Sequence, residues 1–226
     1  MPRQPHAAPG RSRRSYDQYC AAARALDSVG DRWTLLIARE LLAGPRRYTD
    51  LHTDLPGVST DMLASRLKDM ERDGIAERRR LPAPAAATVY TLTARGQELL
   101  PVLDALAEWG AGELAGPGPT DAVRAHWFAL PLRRRLAALG GTGTVEAYVD
   151  EGAFHVRVGQ RPIAGQDHPE PYGDGPAPDG SDTRLTLSTD TCAALVRGDL
   201  TLTDAVRDGR VRVDGEGEIA ELLRKR

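Results

Sequence analysis

The sequence has little cysteine and no long apolar run. Its only cysteines, Cys20 and Cys192, lie far apart, which excludes a disulfide framework and a four-cysteine zinc site. No apolar stretch approaches the ~20 residues that a membrane-spanning helix needs. We therefore expect a protein of the reducing cytoplasm that does not enter a membrane.

The sequence also has little net charge. The formal charge is −2, from 30 basic and 32 acidic residues, and by itself it does not indicate a nucleic-acid partner. The distribution is uneven, because residues 1–80 hold 15 Lys and Arg against 11 Asp and Glu, whereas residues 116–226 hold 14 against 17. Residues 1–14 carry four Arg, no acidic residue and no apolar segment of the signal-peptide kind, which predicts a disordered basic arm.

The length of 226 residues is sufficient for two small domains. Residues 115–119 read Ala-Gly-Pro-Gly-Pro, a composition typical of a linker, near the midpoint of the chain. We predict an α+β protein divided into the arm 1–14, a first domain 15–114, a linker 115–120 and a second domain 121–226.

Short helices and a hairpin are expected in the first domain. Apolar residues recur at helical spacing over 17–43, with a break at Gly30, and a short helix is expected over 48–55. Residues 75–80 and 88–92 predict two strands joined by a proline-bearing loop. Helices followed by a two-stranded hairpin are the order of a winged helix-turn-helix, whose last short helix enters the major groove.

The helix expected over 59–73 has one apolar and one polar face. Ser59 is placed to cap it, and the spacing of Leu63, Leu67 and Met70 forms one apolar stripe. The opposite face carries Thr60, Asp61, Ala64, Ser65 and Lys68.

A long helix is expected from Thr93 to residue 113. Its apolar positions cover more than the single stripe of an isolated surface helix, which implies a packing partner. These positions are Leu99, Leu100, Val102, Leu103, Leu106 and Trp109. Pro101 predicts either a kink or a site where a first helical turn meets another segment.

Several motifs of the first domain recur in one known arrangement. They are CAAARAL at 20–26, GDRW at 30–33, LLAGPRRY at 41–48, LPGVS at 55–59, MLASRL at 62–67, DG at 73–74, YTLT at 90–93 and LLPVL at 99–103. With them, residues 16–113 resemble the HxlR-type regulators of the MarR-like winged-helix superfamily. The resemblance implies a cytoplasmic dimeric transcription factor, with the N-terminal helix and the helix at 93–113 at the subunit interface. We expect it to act as a repressor.

The same resemblance implies double-stranded DNA as partner. Two reading heads ~34 Å apart would require a near-palindromic operator. Helix residues would face base edges or phosphates, Arg46 and Arg47 would clamp the backbone, and 78–80 would support the wing. The predicted DNA contacts are Arg46, Arg47, Ser59, Thr60, Asp61, Ser65, Arg66, Lys68, Arg78, Arg79 and Arg80.

Two positions of the first domain need separate interpretation. The family often carries an arginine in the wing, but here 85–90 read Ala-Ala-Ala-Thr-Val-Tyr, so that the basic arm is a candidate to replace it in a minor groove.

Cys20 matches a cysteine that some family members use as a redox or electrophile switch, although Ala21 stands where a proline is expected. The alternative is that Cys20 is a small buried apolar residue.

The second domain reads as helix, strands, a loop over 159–182, a strand, helices, a last strand at 210–213 and a terminal helix. Residues 183–225 resemble sterol carrier protein type 2 domains, and 121–160 do so in element order only. The resemblance implies helices over a curved sheet that leave an apolar tunnel for a hydrophobic small-molecule effector, with a closed structural core as the alternative. The candidate wall residues are Trp127, Phe128, Leu132, Leu136, Phe154, Val156, Leu187, Cys192, Leu195 and Val211.

Enzyme motifs are incomplete. The glycine-rich run at 215–220 imitates a dinucleotide fingerprint, but no acidic partner follows ~20 residues later. The His-Pro-Glu at 168–170 has no C-x-x-C to complete a zinc site. We therefore expect no enzyme, cofactor or metal. The alternative to a regulator is a small-molecule carrier that its N-terminal half dimerises.

Overall fold

The computed structural model describes residues 15–82, 86–159 and 170–225. The predicted basic arm 1–14 and the tip of the predicted wing at 83–85 lie outside the described residues. Within the described ranges, no helix combines the length and apolar character needed to cross a bilayer.

The N-terminal part consists of short helices and a hairpin. Its elements are α1 (Ala21–Val29), α2 (Thr34–Leu42), α3 (Tyr48–Asp54), α4 (Thr60–Arg72), β1 (Ala76–Arg80), β2 (Thr88–Leu92), α5 (Ala94–Gln97) and α6 (Leu100–Gly110). β1 and β2 are antiparallel, with Arg78 opposite Tyr90. The order confirms the winged helix-turn-helix prediction.

The helix expected from Thr93 to 113 is not continuous, so that this prediction is wrong in its extent. The hydroxyl of Thr93 accepts a hydrogen bond from the Gly96 amide (3.1 Å) and begins the four-residue α5. α6 starts at Leu100 and holds Pro101 in its first turn, where the missing N–H costs no helical bond. The proline therefore marks the start of a helix, one of the two outcomes expected for it.

The C-terminal part has one sheet with helices packed against it. A 3₁₀ turn (Ala125–Phe128) precedes α7 (Ala129–Ala137), β3 (Gly143–Val149), β4 (Gly152–Val158), β5 (Tyr172–Asp174), β6 (Thr183–Leu187), α8 (Thr189–Arg197), α9 (Leu202–Arg207), β7 (Val211–Gly215) and α10 (Glu218–Lys225). Among the described residues the strand order is β5-β4-β3-β6-β7, with β3 and β6 parallel and the other pairs antiparallel. The α+β class is confirmed.

Two local predictions for this part are wrong. The helix expected from residue 121 begins with the 3₁₀ turn and becomes α-helical only at Ala129. The segment 159–182, expected to be loop, contains β5, a three-residue strand too short for an alternating pattern to reveal.

The core lies on one face of the sheet. Alternate residues of the central strands, including Val145, Phe154, Val156 and Leu185, are fully buried with Leu132 of α7. α7 also packs against α6, so that the two parts of the chain meet along these helices.

Candidate nucleic-acid interface

α4 places a polar face in solvent. Leu63, Leu67 and Met70 are almost completely buried, as their spacing predicts. Ser59 caps the helix by accepting a hydrogen bond from the Met62 amide (3.3 Å). The exposed face holds Thr60, Asp61, Ser65 and Lys68. This face is therefore free to contact a partner.

The turn before α4 holds α3 and α4 together. Gly57 has a φ of +83°, a backbone conformation that residues with a Cβ atom adopt only with strain. The glycine therefore allows the chain to reverse its direction between the two helices. The Tyr48 hydroxyl at the start of α3 donates to the Thr60 carbonyl (2.7 Å). Leu51 and Leu55 bury the inner side of α3. The orientation of the exposed face is thus fixed by packing and by a direct hydrogen bond.

The predicted cations of the interface fall into three groups, of which the first is exposed. Arg47, Lys68, Arg79 and Arg80 are exposed, and no carboxylate of the described ranges lies within ion-pair distance of them. Such unneutralised charges next to a polar helix face suit contacts with phosphates.

Arg66 and Arg78 are held by acidic residues. Arg66 lies 2.7 Å from Asp69 and 3.6 Å from Asp31, and its side chain is only 19% exposed. Arg78 contacts Glu71 (3.2 Å), and its guanidinium donates to the Tyr90 hydroxyl (3.0 Å). Both guanidinium groups thus help to hold α4 in place within the domain.

Arg46, the remaining predicted contact, faces the C-terminal part. Its backbone pairs with Tyr90 of β2, while its guanidinium lies 3.9 Å from the Asp174 carboxylate of β5. Only 17% of the side chain is exposed, and Nε and Nη2 are buried without a hydrogen-bond partner among the described residues.

A buried cluster joins the two parts of the chain near Arg46. The Glu40 carboxylate of α2 is fully buried and lies 2.7 Å from Nε2 of His126. It also accepts hydrogen bonds from Trp127 Nε1 (2.9 Å) and the Arg39 guanidinium (2.6 Å). Burial alone raises the pKa of Glu40, but the His126 hydrogen bond and the Arg39 charge outweigh it, and the pKa lies below its usual range.

Sequence reasoning missed this cluster. Tyr172 of β5 donates to the Arg39 carbonyl (2.5 Å), and the other ring nitrogen of His126 lies 3.5 Å from Asp174. The sequence did contain one indication of the cluster. Glu40 follows Ile37 by three residues and so lies on the apolar face of α2, where an acidic residue is unusual. Such a position needs buried partners.

Large apolar side chains remain exposed on a second surface, the apolar surface of α1 and α6. Trp109 is 84% exposed and Tyr19 is fully exposed. The surface also includes Tyr16, Leu26, Val102, Leu106 and Leu114. Several large apolar side chains left exposed on two helices and their flanks are typical of a contact site.

Cys20 lies exposed at the N-terminus of α1, and Cys192 is buried in α8. Hydrogen bonds from the Ala23 and Ala22 amides lower the pKa of Cys20. Burial raises the pKa of Cys192 to about 12. The expectation of a buried Cys20 is therefore wrong, because its side chain faces solvent.

The predicted tunnel walls are mostly core residues. Trp127 contacts Glu40 as above, Phe128 is half-buried, and the others pack with 6% exposure or less. These others are Leu132, Leu136, Phe154, Val156, Leu187, Cys192, Leu195 and Val211. A cavity of about 190 Å³ lies elsewhere, between α6 and α7.

Comparisons with known proteins address the N-terminal part. Residues 28–116 match the family model for the HxlR-like helix-turn-helix. Over 96 residues the chain is 38% identical to the HTH-type transcriptional regulator YodB of Bacillus subtilis, an alignment that covers 42% of this chain and 85% of YodB. Over 92 residues it is 39% identical to the uncharacterized HTH-type transcriptional regulator sll1512 of Synechocystis, covering 41% of this chain and 68% of that protein.

A solved structure of YodB from B. subtilis in its reduced form is also similar. It is 34% identical, with a TM-score of 0.38 over 45% of this chain and 99% of that one. The family match ends at residue 116, before the five-stranded sheet. On the identity and coverage shared with YodB, the chain belongs to the HxlR-like helix-turn-helix family.

Proposed function

We propose that this protein, a DNA-binding transcriptional regulator of the HxlR type, represses transcription as a homodimer on a near-palindromic operator. The observation that carries the proposal is the exposed polar face of α4, flanked by cations without ion-pair partners in the described ranges. Thr60, Asp61 and Ser65 would reach base edges in the major groove.

Phosphate contacts are assigned to Arg47, Lys68, Arg79 and Arg80. These side chains are exposed and carry charge that the described residues do not neutralise. Ser59 acts by capping α4, and Arg66 and Arg78 act by holding α4 in place through Asp31 and Glu71. Arg46 would contact DNA only after leaving Asp174.

The second copy is expected on the apolar surface of α1 and α6. Trp109 and Tyr19 are too exposed to stabilise the isolated chain, and their burial against the same surface of another copy would supply the hydrophobic free energy of association. Binding to consecutive major grooves requires that the two α4 helices of such a dimer lie ~34 Å apart.

The two lysines of the chain provide a matched test. Lys68 lies on α4, whereas Lys225 lies on α10 and contacts Glu221 (2.6 Å). The measurement is fluorescence anisotropy with DNA from upstream of the protein's own gene, over a range of salt concentrations. Lys68→Gln should weaken binding and reduce the slope of log K against log salt by about 0.9, the release of counterions from one phosphate. Lys225→Gln should change neither.

Two results would contradict the assignment. One is an equal loss of affinity in both variants, and the other is an unchanged slope in Lys68→Gln. Deletion of residues 1–14 in the same assay tests the basic arm, because an arm in the minor groove should also contribute to the slope.

A redox role for Cys20 is proposed on its exposure and its lowered pKa. The thiolate is the reactive form of cysteine, so that a lowered pKa favours oxidation. DNA binding of the native protein should fall during titration with hydrogen peroxide, which oxidises one thiolate to a sulfenic acid with release of hydroxide, and Cys20→Ser should resist it. Equal sensitivity of the two proteins would exclude Cys20 as the sensor.

For the C-terminal part we propose a sterol-carrier-like domain that binds a hydrophobic effector. Support comes from helices that cover one face of a five-stranded sheet in the described ranges, with an apolar layer between them. The predicted walls are packed, so that an effector must separate α7 or α8 from the sheet. A fluorescent fatty acid should bind with a saturable increase in emission, and Leu132→Trp should reduce it. Absence of saturable binding would favour a closed core.

A further inference from the structure

The cavity between the two parts of the chain lies outside every site assigned so far. It is formed by α6 and the following 3₁₀ turn (Ala111–Glu113) on one side and by α7 and α8 on the other. Its volume of about 190 Å³ corresponds to about six water molecules. It therefore has room for a molecule of roughly six to ten non-hydrogen atoms.

The cavity has an excess of positive charge. Among its lining arginines, Arg134 pairs with Glu108, and Arg197 pairs with Asp199 (2.6 Å). Arg135 has no carboxylate within ion-pair distance in the described part of the chain, and its Nη2 donates to the Val196 carbonyl (3.0 Å). The remaining donors of this guanidinium are available to an anion.

The lining acid Asp104 is paired with Arg133 through one of its two carboxylate oxygens. Its Oδ2 lies 2.6 Å from the Arg133 guanidinium, whereas its Oδ1 is buried without a hydrogen-bond partner among the described residues. Burial raises the pKa of Asp104, with the Arg133 charge opposing the effect in part. The rest of the wall is apolar, with Ala107 and Ala111 on one side and Leu130 and Val196 on the other.

We propose that this cavity binds a small carboxylate with a short aliphatic tail. The carboxylate accepts hydrogen bonds from Arg135, and the tail lies between α6 and α7 against the apolar wall. Guanidinium and carboxylate groups match in geometry, and their hydrogen bonds are charge-assisted.

Such a ligand would act directly on the helix proposed for dimerisation. The cavity side of α6 carries Asp104 and Ala107, whereas Val102, Leu106 and Trp109 are exposed. A ligand wedged between α6 and α7 would change the position of α6, and with it the spacing of the two α4 helices. This regulatory consequence rests on the proposed function, but the binding site does not.

The test is calorimetric titration of the full chain with sodium hexanoate, which has about eight non-hydrogen atoms. Hexanoate should saturate one site per chain. Hexanamide and hexylamine should bind at least about tenfold more weakly, because they lack the negative charge that Arg135 recognises. Absence of saturable hexanoate binding, or equal binding of the three compounds, would overturn the proposal.

Variants locate the site. Arg135→Gln should weaken hexanoate binding by at least about tenfold, whereas Arg210→Gln, at an exposed arginine before β7, should not change it. Ala107→Leu keeps Arg135 and fills the cavity, so that it should abolish binding even if the Arg135 variant folds poorly. Wild-type affinity in Ala107→Leu would refute the site.

The regulatory part is measured separately. Hexanoate should shift DNA affinity of the wild type and not of Ala107→Leu. If the chain binds hexanoate but not DNA, the proposed function fails and the cavity assignment stands. If it binds both without coupling, the regulatory consequence is wrong.

Discussion

Replacement of Glu40 by glutamine is expected to destabilise the whole chain. The substitution preserves the shape of the side chain and removes its charge. Glu40 is fully buried and is contacted by His126, Trp127 and Arg39, so that the variant leaves a buried cationic environment without its anion. The glutamine side chain also has an NH₂ group in place of one carboxylate oxygen, and this group would face a neighbour that is itself a hydrogen-bond donor.

The magnitude follows from the burial of the partners. Breaking a buried ion pair by removing one member costs about 3–5 kcal/mol. The Arg39 side chain is 19% exposed and can be partly rehydrated, which places the expected loss near the lower end, about 3 kcal/mol. At a urea m-value of about 3 kcal/mol/M the unfolding midpoint should fall by about 1 M.

A second acidic residue gives the control. Glu108 of α6 pairs with Arg134 of α7, also across the two parts, but it is 59% exposed. Glu108→Gln should cost less than about 1 kcal/mol, as exposed pairs do. Urea unfolding followed by circular dichroism measures both. An equal loss in the two variants would refute the reasoning that burial decides the cost.

The difference in unfolding free energy between wild type and Glu40→Gln should decrease as the pH is lowered. The pKa of Glu40 is lowered in the folded chain, so that its contribution is present above the unfolded pKa of about 4.3 and is lost as pH falls through the folded value. The two unfolding free energies should therefore converge once the pH falls below the lowered folded pKa of Glu40. A difference that persists there would show that the charge is not its source.

Three further predictions concern other residues. Trp109→Glu should convert the proposed dimer to a monomer in light scattering, because it places a charge in the apolar surface of α1 and α6. A dimer of unchanged mass in the variant would show that the interface does not include Trp109. In native protein at pH 8, iodoacetamide should modify Cys20 well before Cys192, which with a pKa of about 12 is about one part in ten thousand thiolate; equal rates would contradict the burial of Cys192. Gly96→Ala should lower the unfolding free energy by about 1–3 kcal/mol, because its Cβ would lie 2.0 Å from the Ile75 carbonyl oxygen. Gly110→Ala meets open space and should be tolerated, and similar costs in the two variants would refute the close packing of α5 on the backbone of Ile75.

Local sequence pattern predicted most of the N-terminal elements. The 3.6-residue spacing of Leu63, Leu67 and Met70 fixes both the helix and its exposed face. The separation of α5 from α6 depends instead on the contact of Gly96 with Ile75, and a contact between distant residues leaves no periodic signal. Tyr172 belongs to a strand of three residues, which is shorter than the window in which alternation can be recognised.

The roles of the arginines were harder to predict. An arginine next to a recognition helix has the same sequence signature whether it contacts DNA or a carboxylate. Arg66 contacts Asp31, thirty-five positions earlier in the chain, and Arg46 contacts Asp174 of the other part. Exposure could be read from periodicity on α4, but the pairing of each charge required the tertiary fold.

The position of Glu40 also constrains how the second part can influence DNA binding. Separating the two parts would expose the Glu40 and His126 cluster and break its hydrogen bonds, at a cost comparable to a large share of the stability of a domain. A ligand that contributes a coupling of ~1–3 kcal/mol cannot open such a contact. It can shift packed helices past one another at small cost. Regulation through α6, which lies between the cavity and the apolar surface, therefore needs the buried cluster to remain closed. Glu40→Gln should weaken the response of DNA affinity to hexanoate more than Glu221→Gln does, because Glu221 is an exposed carboxylate outside the cavity.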